Sequence, residues 1–121
     1  MKKVEEKNRE EKIESEILAD CYNSHDQLLA WYDYLQEYLA FPFEATLKDG
    51  TKVNVIDMTP LYQCEEEKAM LVEIDRNGEI TSESLFEVDK AISDERTKEA
   101  LKDWAFWVDA GNRFEDEDGF Y

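Results

Sequence analysis

The sequence predicts an α+β fold, a small SH3-like antiparallel β-barrel flanked by N-terminal helices and a C-terminal helix, in one domain over residues 1–121. Three observations carry this. Apolar residues recur at helical spacing through Leu28, Trp31, Tyr32, Leu35 and Leu39, then change to period two at Phe43, just after Pro42. Two hairpin dipeptides, Asp49-Gly50 and Asn77-Gly78, each separate alternating apolar runs. A second helical stripe, Ala100, Leu101, Trp104, Trp107 and Val108, follows the strands and must pack on something large.

The helical region is expected over about 3–40. Residues 2–12 are almost wholly charged with alternating sign, the pattern of a solvated helix start, and Ile13, Ile17, Leu18 and Cys21 then add an apolar stripe. Ser24 with Gln27 three residues later has the form of a capping box, so a fresh helix is expected to begin there after a break near Asn23. Pro42 ends it, because proline lacks an N–H and disfavours helix at the residue before it. The barrel is expected over about 43–88. Residues 43–57 read as a hairpin, Thr59-Pro60 interrupts, Glu65-Glu66-Glu67 sits in an inter-strand loop, Met70, Val72 and Ile74 form a strand, and Ile80 to Val88 forms a fourth. Closure into a barrel would remove the sheet edges. Ser93 or Asp94 caps a last helix over about 94–110, which Gly111 terminates, and 115–121 reads as an acidic tail that Phe120 and Tyr121 could tie down.

The chain carries 31 Asp and Glu against 14 Lys and Arg, a net charge of −17. Residues 1–12 hold five of the bases and four of the acids, so the body that follows sets nine bases against 27 acids. Such a field repels nucleic-acid phosphates and anionic lipid and favours metal cations, polyamines or a basic protein surface. Cys21 and Cys64 lie far apart and need no pairing, no apolar run approaches the roughly 20 residues of a membrane span, and the N-terminus lacks the apolar core of a signal peptide. A cytoplasmic location is the default expectation.

Catalytic patterns are missing: there is no phosphate loop, no HExxH, no CxxC and no nucleophile elbow, and the single histidine, His25, reads as a surface residue just inside a helix cap. We therefore expect no enzyme. What the chain has is carboxylate oxygen, the ligand type of hard cations, which for calcium must converge about 6–8 at a time. Three places hold acids on fixed backbone. Asp33 and Glu37 stand at i and i+4 on the second helix, where like charges cost a few tenths of a kcal/mol and a cation or a nearby lysine would relieve them. Asp57 flanks the Glu65, Glu66 and Glu67 loop. Glu99 and Asp103 stand at i and i+4 on the last helix, with Lys98 and Lys102 close enough in sequence to screen them. Asp75 to Ile80 looks like a shortened EF-hand loop, but its glycine falls at position four rather than six and a hairpin turn explains it better; Asp116 to Gly119 runs out of chain. The aromatics at helical spacing read as core, with Trp31, Trp104 and Trp107 at the contact between helices and barrel.

The run Trp31-Tyr32-x-Tyr34-Leu35-x-Glu37-x-Leu39-x-Phe41-Pro42-Phe43 resembles the signature of the small acidic CcbP-type calcium-binding proteins. Cys64-Glu65-Glu66-Glu67 before Met70-Leu71-Val72, and Asp103-Trp104-x-x-Trp107-Val108-x-x-Gly111, add to the likeness in the same order. The resemblance implies a compact α+β protein that binds Ca2+ through surface carboxylates without EF-hands and buffers or sequesters it, with Glu37 the first choice of ligand; Asp33, Asp57, Glu65, Glu66, Glu67 and Asp103, from the acid clusters read above, complete the candidate metal ligands. The alternative reading of the same charge is an acidic inhibitor, immunity-type protein or nucleic-acid mimic that covers a basic protein partner. An SH3-type peptide-binding module is a third, weakened because the aromatics lie mostly in helices.

Overall fold

The computed structural model describes residues 2–114. The acidic tail expected over 115–121, with its Asp116 to Gly119 run and Phe120 and Tyr121, lies outside the described residues. The chain runs α1 (Lys2–Lys12), a π-helical turn (Ile13–Ile17), α2 (Ser24–Tyr38), β1 (Phe43–Leu47), β2 (Lys52–Met58), α3 (Leu61–Glu67), β3 (Leu71–Arg76), β4 (Glu79–Ser84), a 3-10 turn (Leu85–Glu87), β5 (Val88–Ile92) and α4 (Glu95–Asp109). Among the described residues no helix is long and apolar enough to cross a membrane.

The helix that carries Asp33 and Glu37 starts one residue earlier in its capping than expected. Asn23, not Ser24, is the cap: its backbone is extended and its side-chain oxygen accepts the Asp26 N–H at 2.9 Å. An amide oxygen on the last non-helical residue reaches that N–H directly, and Ser24 is already helical and buried. The inner face of α2 buries Leu28, Trp31, Tyr32 and Leu35, as the spacing predicts. Trp31 meets Trp104 edge-on, with ring centroids 5.2 Å apart, and Trp107 at 5.5 Å. Those contacts join α2 to α4 over the sheet, and Phe114 packs on both tryptophans of α4. The α4 cap is Asp94, which accepts the Thr97 N–H at 2.7 Å, and Gly111, with φ +94, follows the helix as expected.

The strands form one antiparallel sheet in the order β4-β3-β2-β1-β5. This corrects the expected barrel: β4 and β5 occupy opposite edges, so the sheet is open. Alternation specifies strands and their faces, whereas closure needs the two edge strands to pair with each other; here β4 pairs with β3 and β5 with β1, and the 3-10 turn Leu85–Glu87 stands between them in sequence. That turn also splits the single strand expected over Ile80–Val88; it is held where the Leu85 N–H donates to the Met70 carbonyl. The expected inter-strand glutamate loop is instead α3, launched after Pro60, with Cys64 fully buried beneath it. Asn77 and Gly78, both at positive φ, make the β3–β4 turn, so the EF-hand-like segment is a hairpin.

Candidate functional site

Ile56 occupies a β-bulge, and that extra residue decides where the acids of β2 point. Val53 and Val55 face the core; without the bulge Asp57 would follow them inward, but the register shift sends Asp57 outward and returns Met58 to the core. Asp57 then stands directly opposite Glu73 of β3, and Glu73 stands opposite Ser82 of β4. Two acids across an antiparallel ladder are destabilising. Only neutral donors relieve this pair among the described residues: Ser82 Oγ donates to Glu73 Oε2 at 2.7 Å, Thr59 Oγ1 donates to the same oxygen at 3.3 Å, and the Met58 N–H donates to Asp57 at 2.8 Å. Among the described residues no ion pair reaches either carboxylate.

Helix α2 looks onto the same junction. Tyr32 Oη donates to the Thr59 carbonyl at 2.8 Å inside the protein. Burial pushes the Tyr32 phenol up, and the Cys64 thiol and the negative charges of Asp57 and Asp33 push it further. Carboxylates from the helix and from β2 therefore act on one hydroxyl. Glu37 lies one turn beyond Asp33 on the exposed side of α2.

The other sequence-predicted acids go elsewhere. Glu65 pairs with His25 Nε2 at 2.6 Å, tying α3 to the start of α2, so that histidine is half-buried and partnered rather than a plain surface residue. Glu66 and Glu67 are exposed on α3. Asp103 is fully buried on α4. Its Oδ1 accepts from Arg9, and its Oδ2 accepts from Lys12 at 2.7 Å and from Tyr34 Oη at 2.6 Å. Glu99 pairs with Arg9 at 2.9 Å. The screening cations are thus those of α1, not the Lys98 and Lys102 suggested by proximity in sequence. Burial lowers the Lys12 pKa, but its bonds to Asp103 and Tyr34 outweigh that and raise it; Tyr34 is pushed up to about 12 by burial and by Asp103.

Among the described residues no three acid, histidine or cysteine side chains are arranged to hold a metal ion. Asp57 and Glu73 face each other across the β2–β3 ladder, and the charge of Asp33 acts on the same Tyr32 phenol as that of Asp57. Glu73 was not among the sequence candidates. Its outward phase on β3 was legible between Val72 and Ile74, but its partnership with Asp57 depends on the bulge.

Comparisons with known proteins agree on the kind of protein. A family of the CcbP type, described as calcium binding, matches residues 11–108. The crystal structure of CcbP from Anabaena is similar over 88% of this chain and 94% of that one, with 32% identity and a TM-score of 0.77. A calcium-binding protein solved in its calcium-binding form is similar over 88% of this chain and 93% of that one, with 31% identity and a TM-score of 0.79. No curated protein sequence gives a significant match.

Proposed function

This chain belongs to the CcbP-type family of calcium-binding proteins, and we propose that it buffers or sequesters Ca2+ through carboxylates that close around the ion on binding rather than through a ready-made cage. The observation that carries this reading is the Asp57–Glu73 opposition, an acid pair across a ladder that no ion pair reaches among the described residues. A divalent ion between the two would convert their repulsion into attraction. Asp33, which acts on the same phenol as Asp57, is the next ligand, and Glu37 one turn further is within the same helix face. Calcium tolerates irregular shells of 6–8 oxygens, so neighbouring carbonyls and water can complete it.

Glu65 and Asp103 fit this role poorly. Glu65 is engaged by His25, and Asp103 shares both its oxygens among Arg9, Lys12 and Tyr34. Glu66 and Glu67 stand as exposed acids that would add to the general attraction for cations. Nothing in this arrangement calls for catalysis, and calcium is the partner the charge serves.

Thermal unfolding of chelator-treated protein tests the reading. At a hundredfold excess over Kd, calcium should add about 2.7 kcal/mol of stability, and magnesium should add less, because it demands octahedral geometry and sheds water reluctantly. Equal small shifts from both ions that vanish in ordinary salt would refute it.

A further inference from the structure

A cleft of about 490 Å3 lies between β5, the 3-10 turn and α4. Its rim carries Lys48, Lys90, Lys98 and Lys102, four of only 14 basic residues in a chain of net charge −17. Two of them, Lys98 and Lys102, stand one turn apart on α4 and so point along the same side of the helix. Among the described residues none of the four forms an ion pair. Asp89 and Asp109 also line the cleft, and among the described residues neither forms an ion pair with these lysines.

The interior of the cleft is apolar. Leu101, Trp104 and Ala105 line it from α4, and Phe86 stands at its edge, 43% exposed. Lys48 Nζ sits 3.1 Å from the centre of the Phe86 ring, so a cation and an aromatic face are presented together. The volume falls in the range of small-molecule sites, which combine an apolar lining with a few placed polar groups.

We propose that this cleft binds a small organic phosphate, its phosphoryl group among the lysines and its apolar body against Leu101, Trp104 and Phe86. The phosphate is favoured over a single carboxylate for an electrostatic reason. The protein as a whole repels anions, so a ligand must recover that cost locally, and a phosphate monoester brings a charge near −2 and three acceptor oxygens to several ammonium groups at once. The apolar body adds burial that inorganic phosphate lacks. This site is separate from the acidic junction of β2 and β3 and does not depend on the calcium reading.

Isothermal titration of the chelator-treated full chain with phenyl phosphate, with phenol and inorganic phosphate as comparators, tests the proposal, and amide chemical shifts locate the ligand. Phenyl phosphate should bind saturably, more tightly than either comparator, with shifts centred on β5 and α4. Lys90→Gln with Lys98→Gln should raise Kd about tenfold or more, whereas Lys7→Gln with Lys52→Gln, which changes the net charge equally, should alter it less than about twofold. No saturation below about 10 mM, or equal weakening by both double variants, would overturn it.

Discussion

Replacing Asp103 by asparagine keeps the side-chain volume but removes the charge that α1, α2 and α4 share. The carboxylate is 0% exposed, while Arg9 and Lys12 are 21% and 32% exposed. Removing one partner of a buried ion pair costs about 3–5 kcal/mol. The two cations here can turn partly to water, and the new amide oxygen can still accept from Tyr34, so the lower end applies, about 3 kcal/mol. With an unfolding entropy near 2.1 cal/mol/K per residue, a 121-residue chain should lose about 12 °C in Tm. Urea unfolding followed by tryptophan fluorescence reads the change directly, since Trp31, Trp104 and Trp107 pack together. In the Asp103→Asn background, Arg9→Gln should add little, giving a coupling of about 1–3 kcal/mol. A loss below about 1 kcal/mol for Asp103→Asn, or full additivity with Arg9→Gln, would refute the claim that this carboxylate anchors α1.

Alkaline titration should find Tyr34 ionising late. Tyr34 holds its proton up to about 12 in the folded state against 10 for a free phenol. The folded form therefore binds that proton more tightly, and its contribution to stability is intact below pH 10 and lost as pH rises towards 12; a tyrosinate absorbance curve lacking this late step would contradict it. Asn23→Ala removes the α2 cap and should cost about 1 kcal/mol, measured by urea unfolding, with Asn23→Ser nearly neutral. Gly78→Ala places a side chain at φ +94 in the β3–β4 turn and should cost about 1 kcal/mol by the same assay, although the space around it is open.

Local chemistry made much of this fold legible. Asn77-Gly78 and Asp49-Gly50 mark their turns because few residues tolerate positive φ, and the apolar stripes of α2 and α4 predicted the tryptophan contact between them. What escaped depended on distant partners or on single-residue shifts. A bulge at Ile56 leaves no composition signal, yet it alone puts Asp57 opposite Glu73. Arg9 lies 94 residues from Asp103, so spacing offered Lys98 and Lys102 as the screening cations when α1 supplies them. The glutamates after Cys64 looked like an exposed loop because three like charges hide a short helix that buries Cys64 underneath and bonds Glu65 to His25. Open against closed was likewise invisible, since alternation is identical in a sheet and in a barrel.

Calorimetric titration of metal-free protein with calcium, repeated for the Asp57→Asn, Glu73→Gln double variant, probes the site most directly. The account predicts saturable heat for the parent chain and a Kd raised at least about tenfold when the opposed pair is neutralised. Undiminished calcium binding by the double variant, with its fold intact, would place the ion away from the β2–β3 junction and contradict the assignment.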